Sequence, residues 1–442
     1  MQLCNTKYFA LLKSSGSRLA LALLALTLIL LLPVAGGLWG GLPVSVWTEF
    51  PPRSQVVKHA PYHWWVFVAL GVIIVSVVVT IVWRVVRSTP IAWSWNNGIR
   101  ERWNAGEREI ASQGGACVCV PVAQRPAPLP FGKGGRIDSL DGDPPSLPTV
   151  TSSNIPVFQH SIVPFPLWGW AGVVWMFLAW AVAWTRLPSL AWMQQHTYVL
   201  VWSGYIVTML ALTQQRTGTC MLTHRPLLLA GLAFVSAFFW WGFEFMNRGV
   251  QNWFYQNVEN FSPLEYAVMA TLSFMTVLPA VLATYDWLTT RPRLTAGLDN
   301  WFHIRFARPR LAGAGFALAG AVGLFFLPVY PNVLFPLLWL APLALLCGLL
   351  AAAGETTLFD DLGHGDWSTL VRLSMAALIC GFFWEMWNMH SLARWVYAVP
   401  YVGRFHLFEM PVLGFAGYGP FGWECAAVAM IFGLWEPKKV KR

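Results

Sequence analysis

The chain has 442 residues, 56% of them hydrophobic and only 11% charged, with a mean hydropathy of +0.53. Soluble domains carry roughly 25% charged residues, so a soluble globular protein is excluded and a polytopic membrane protein is expected. The net charge of +9 falls between the apolar runs and carries no nucleic-acid motif; it reads as orientation in a membrane, with no nucleic-acid partner.

In chain order, residues 19–39 form the first apolar run, preceded by Lys7, Lys13 and Arg18. The run lacks an A-x-A cleavage site and reads as an uncleaved helix with its N-terminus in the cytoplasm. A second span is expected over residues 64–84, so residues 1–87 form a transmembrane hairpin. Residues 88–162 are rich in Pro, Gly and Ser and read as a flexible cytoplasmic linker. A short surface helix is expected near "IRERWNAGEREIA"; if the chain is a partner subunit, this linker is the segment expected to dock a cytoplasmic protein. Eight further runs follow near 166–185, 195–213, 227–250, 263–287, 311–329, 333–353, 369–390 and 408–434.

The bases favour one set of loops, with Arg216, Arg225, Arg291, Arg293, Arg305, Arg308, Arg310 and the terminal "KKVKR" on one side. The positive-inside rule then gives about ten helices with both termini in the cytoplasm of a bacterial inner membrane. The fold class is all-α: an N-terminal helix pair followed by two parallel four-helix repeats, at residues 163–290 and 305–435.

The repeat is read from a series of features in matching order. His224 and His364 open the two copies. Glu244 and Asn247 recur as Glu385 and Asn388, each at an offset of 141 residues. Trp253 and Tyr255 recur as Trp395 and Tyr397, Glu265 as Glu409, and Pro279 as Pro420. Helix rise puts Glu244 about 26 Å above the cytoplasmic start of its helix, in the outer leaflet. Glu265 and Glu409 enter from that same side. Glu424 lies about four turns deeper than Glu409.

An ionisable residue inside a membrane helix points to a functional site. Glu and Asn three apart share one helix face; the amide can donate to the carboxylate and orient it, or both can address a third partner. The alternative is interhelical glue, with the carboxylates bonded across the bundle or paired with Arg248 and Arg394. Trp240, Trp241, Trp384 and Trp387 wall the two carboxylates. Trp253, Trp395, Tyr255 and Tyr397 fit either this cavity or a belt at the membrane interface. The histidines form no haem pair, the Glu-x-x-His of di-iron bundles has Asn in its His slot, and Cys117 and Cys119 stand without a His cluster. No metal and no cofactor are expected.

Each repeat resembles the domain of the heterodimeric-type lycopene cyclases, integral membrane enzymes of carotenoid biosynthesis. The first copy carries "WGFE", "WFY", "SPLEY", "TVLP" and Asp286 in the family's order. The second carries "FFWE", "WVY", "FEMP", "GP" and Glu424. The match covers residues 195–287 and 333–425. The family's paired Glu-Glu is here a single Glu, since Tyr266 follows Glu265 and Met410 follows Glu409. Each unit also has an extra helix. The whole chain is similar to a Trp-rich class of bacterial inner-membrane proteins.

The resemblance implies protonation of an isoprenoid by a carboxylic acid in an apolar pocket, with aromatic faces stabilising a carbocation. Three readings stand. The first is a cofactor-independent isoprenoid cyclase or isomerase working on a membrane lipid. The second is a proton-coupled transporter or lipid flippase, and the third a non-catalytic membrane partner subunit.

Overall fold

The computed structural model describes residues 2–88 and 164–437. The expected linker at 88–162, with its surface helix, its cysteines and its partner-docking role, lies outside the described residues except for Ser88. The terminal "KKVKR" lies outside them as well.

The main helices are α1 (Gln2–Trp39), α2 (Trp64–Ser88), α3 (Leu167–Trp184), α4 (Thr197–Thr217) and α5 (Pro226–Val250). Strand β1 (Trp253–Gln256) leads to α6 (Pro263–Phe274) and α7 (Val277–Thr289). Then come α8 (Pro309–Phe326), α9 (Leu337–Ala353) and α10 (Ser368–Met389). Short strands β2 (Arg394–Tyr397), β3 (His406–Leu407) and β4 (Met410–Pro411) precede α11 (Tyr418–Ile431). Among the described residues, eight helices are long and apolar enough to cross a membrane, with α6 and α7 together forming one span, Pro263–Thr289. The runs expected at 333–353 and 408–434 give shorter helices, α9 of 17 residues and α11 of 14.

The shortening at 408–434 corrects the expectation that Glu409 opens a helix. Pro411 has no N–H to donate and pushes the residue before it toward extended backbone. Phe408 adopts a left-handed φ of 59°. The chain therefore makes a tight hairpin, with His406 opposite Pro411 and Leu407 opposite Met410. Glu409 sits in its turn, and the helix starts only at Tyr418.

Proline also breaks the span at 263–289. Pro279 cannot continue the helix hydrogen bonding, and its ring crowds the carbonyl four residues back. Helix α6 ends at Phe274 and α7 starts at Val277. Ser236 of α5 fills the gap: its hydroxyl donates to the Phe274 carbonyl at 2.5 Å and accepts from Leu278 N at 3.0 Å.

Helix α7 is the axis of the bundle. Leu278, Ala280, Val281, Ala283 and Thr284 are fully buried, and α7 packs against α4, α5, α10 and α11. Lipid tails are as apolar as leucine, so cohesion here comes from close packing and interhelical hydrogen bonds. Two tight pairs flank the axis, α3 on α4 and α8 on α9. Each closes over a glycine. A Cβ on Gly204 would stand 2.7 Å from Met176 N, and one on Gly348 2.4 Å from Ala317 N. By contrast, α2 buries none of its residues.

Between α1 and α2 an extended strap crosses one end of the bundle. Gln251, left-handed at the end of α5 (φ 54°), accepts from Val56 N and Val57 N at 2.8 and 2.9 Å and donates to Ser54 O at 2.6 Å. Asn332 clasps the next stretch through Ala60 N and Lys58 O. His59 Nε2 lies 3.1 Å from Val250 O.

Candidate functional site

The site is built where α5 and α10 end and the chain turns into β1 and β2. These strands are distant in sequence yet pair antiparallel, with Trp253 opposite Tyr397 and Tyr255 opposite Trp395. Opposed residues share a sheet face and alternate residues return to it. The register therefore puts Trp253, Tyr255, Trp395 and Tyr397 on one face. All four line a cavity of about 410 Å³.

Each strand is fixed by the asparagine of the preceding helix. Asn247 Nδ2 donates to Trp253 O at 2.9 Å, and its Oδ1 accepts from Asn252 N at 2.8 Å. Asn388 does the same with Trp395, donating to its O at 2.7 Å and accepting from its N at 2.9 Å. The amides thus hold the strands that carry the aromatic residues, and make no hydrogen bond to the carboxylates they were expected to orient.

Both carboxylates lie behind the aromatic wall. Glu244 is 7% exposed and Glu385 0%. Glu244 Oε1 accepts from Tyr255 OH at 2.6 Å, Trp240 Nε1 at 2.9 Å and Trp253 Nε1 at 3.1 Å. Glu385 Oε1 accepts from Tyr397 OH at 2.7 Å and Tyr418 OH at 2.8 Å, and Trp395 Nε1 donates to Tyr397 OH at 2.8 Å. Glu385 Oε2 has no hydrogen-bond partner. Tyr255, Tyr397 and Tyr418 line the cavity, whereas Glu244 and Glu385 do not. Cavity-lining side chains hydrogen-bond both carboxylates: Tyr255, Trp240 and Trp253 on Glu244, and Tyr397 and Tyr418 on Glu385. Burial first, and then the neighbouring carboxylate, holds the Tyr255 and Tyr397 phenols well above the usual range, so both serve as O–H donors.

Tyr418 was not legible as a site residue. The offset that carries Glu244 to Glu385 carries Trp240 to Gly381. An indole donor thus stands four residues before Glu244, where Glu385 has a glycine with no side chain. The Tyr418 ring occupies that space, and a Cβ on Gly381 would lie 2.4 Å from its Cε2. Glycine in the tryptophan slot was the available signal. Asn252, Trp339 and Phe421 also line the wall unannounced by any motif.

The remaining candidates divide. Trp240 and Trp384 line the cavity. Trp241 turns away and donates to Thr271 Oγ1 at 3.0 Å. Trp387 packs in the core against Trp180, Trp202 and Phe383. Neither arginine takes the role weighed for it. Arg248 donates to the carbonyls of Val46 and Glu49, and Arg394 pairs with Glu409 at 2.9 Å. Glu265 has a 40% exposed side chain, 3.6 Å from His196 Nε2. Glu424 is buried in α11 with neither oxygen partnered, outside the cavity wall. Among the described residues, no group of three His, Cys, Asp or Glu is placed to hold a metal.

Comparison with family models, with curated proteins and with solved structures gives no match. The chain is a largely helical, multi-pass membrane protein with Trp-rich clusters and two buried, hydrogen-bonded carboxylates.

Proposed function

We propose that the chain binds an isoprenoid or other lipid in this cavity and acts on it by acid–base chemistry. The observation that carries this reading is the pair of tyrosine–glutamate contacts behind one aromatic wall, Tyr255 on Glu244 and Tyr397 with Tyr418 on Glu385. A cavity of this size, mostly apolar with a few convergent polar groups, suits a small apolar ligand. A proton passes between the ligand and a tyrosine oxygen while the phenolic proton passes to or from the carboxylate behind it. The phenol ends unchanged, and the carboxyl group gains or loses one proton. Indole and phenol faces stabilise cationic character on the ligand. This differs from direct protonation by glutamate, which the lycopene cyclase resemblance implied, and places tyrosine at the ligand.

The same reading takes the chain as a duplicated unit in a bacterial inner membrane, with about ten spans, both termini cytoplasmic and the cavity toward the outer leaflet. Support for duplication comes from the β1–β2 register, in which corresponding residues cross-pair, and from the matching asparagine clasps.

The test is lipid analysis by mass spectrometry of a deletion strain. It is complemented with the wild-type chain or with the Glu244→Gln, Glu385→Gln double variant. The expected result is one lipid species that accumulates in the deletion and is consumed again only with the wild type. If no isoprenoid or other lipid changes, the enzymatic reading fails.

A further inference from the structure

Two guanidiniums stand where α4 and α7 end. Arg216 lies in the last turn of α4, and Arg291 lies just beyond α7. The two helices pack on each other, with Tyr205 OH 2.8 Å from Thr284 Oγ1. Neither arginine side chain makes a hydrogen bond or an ion pair among the described residues. Burial and then the Arg216 guanidinium lower the pKa of Arg291 below its usual value, and no carboxylate among the described residues offsets them. Asp286 and Arg293, the neighbouring charges in sequence, are each engaged. The Trp287 ring lies 5.1 Å from the Arg291 guanidinium. Arg291 Nε is buried without a partner, but both Nη nitrogens remain accessible, and Arg216 is exposed.

The ordinary use of a base at a helix C-terminus is to bond the last carbonyls. Here those carbonyls have other donors. In α4, Gly218 N donates to Gln214 O at 2.8 Å and Thr217 Oγ1 to Thr213 O at 3.0 Å. In α7, Thr289 Oγ1 donates to Asp286 O and Thr290 Oγ1 to Trp287 O, both at 2.7 Å, and Arg291 N donates to Leu288 O at 2.9 Å. Only the helix dipoles remain for the two guanidiniums, and each helix end offers about half a negative charge. Two cations over two such ends keep a net charge of about +1.

We infer that Arg216 and Arg291 form a site for the phosphodiester of an anionic membrane lipid. One phosphodiester supplies the single negative charge, and its oxygens accept from the Nη donors of both arginines. The site lies at the rim of two spans, Thr197–Thr217 and Pro263–Thr289, beside Trp287. Indoles are at home at head-group level, and basic residues between membrane helices suit lipid phosphates. A choline head would bring a third cation to the pair and is disfavoured. Free phosphate offers the same oxygens without a chain to hold it beside the spans. Arg216, Trp287 and Arg291 are outside the cavity wall, so this site is separate from the one in the proposed function.

The full chain, delipidated in detergent, is titrated with dioleoylphosphatidylglycerol, dioleoylphosphatidylcholine or sodium phosphate, and bound molecules are counted by native mass spectrometry. The phosphatidylglycerol is expected to bind about tenfold more tightly than the phosphatidylcholine, and sodium phosphate at equal concentration should not displace it. In the Arg216→Gln, Arg291→Gln variant the two lipids should bind within about twofold of each other. Arg216→Gln alone, at an exposed position, should lower the preference about threefold and covers the case in which the double variant does not fold. Arg225→Gln, Arg308→Gln removes the same charge at two other exposed arginines and should keep the preference.

Equal binding of the two lipids to the wild type overturns the inference. So does a preference that survives in the folded Arg216 and Arg291 variants. Equal loss in Arg225→Gln, Arg308→Gln also overturns it, since net charge and not the site would then set the preference. Displacement of the lipid by sodium phosphate at equal concentration makes free phosphate the ligand and overturns the lipid assignment.

Discussion

At the scale of single residues, Glu244 and Glu385 reach similar ends by different side chains. Glu244 draws an indole donor from its own helix, whereas Glu385 draws a phenol from α11 because Gly381 leaves room. Gly381→Ala would place a methyl 2.4 Å from the Tyr418 ring. We expect it to push the ring off Glu385 and lower stability by about 1–3 kcal/mol. The loss should be smaller in the Tyr418→Ala background, a non-additivity that a double-mutant cycle of thermal unfolding in detergent measures. Asn388→Ala removes both hydrogen bonds that hold Trp395. Faster hydrogen exchange across residues 394–397, extending to the paired strand at 253–256, is expected. Unchanged exchange at both would show that strand pairing alone fixes the wall.

At the scale of elements, the break between α6 and α7 is a designed join. Proline forbids a continuous helix, and Ser236 takes over the exposed carbonyl and amide. Ser236→Ala leaves both groups unpaired inside the bundle, and a loss of roughly 1–3 kcal/mol per group is expected. Thermal unfolding checks it, and a change below half a kcal/mol (about a factor of two in the folding equilibrium) would mean that water or a shifted helix satisfies them. The strap between α1 and α2 is expected to respond to pH through His59, whose Nε2 lies 3.1 Å from Val250 O. Burial pushes that imidazole below its ordinary value of 6.5, with the Val250 carbonyl opposing. A histidine depressed in the folded state binds fewer protons than in the unfolded one. Its contribution is therefore complete above pH 6.5 and declines as the pH falls through the lowered value. Hydrogen exchange at residues 54–60 should accelerate on acidification in the wild type, and less so in His59→Gln.

At the scale of the whole molecule, α7 gathers the surrounding helices into one core, while α2 stands with no buried residue. The sequence by itself determined the solvent. Eleven per cent charge and long apolar runs can only be satisfied in a bilayer, and that sum is local, which is why most span limits fall within a few residues of expectation. It also picked out Glu244, Asn247, Glu385 and Asn388, since a polar residue in an apolar run stands out without a partner. It misplaced Glu409, because a run of apolar residues looks helical until a proline and a left-handed phenylalanine turn it back. Only the tertiary structure decided what these residues touch. The Asn amides bind backbone that swings back after the helix ends. The wall is a strand pair between segments far apart in the chain, and Tyr418 enters through a space left by a glycine. Such contacts depend on which distant segments meet, so no window of local composition contains them. Hydropathy fixed where the chain lies, and packing fixed which hydroxyl faces which carboxylate.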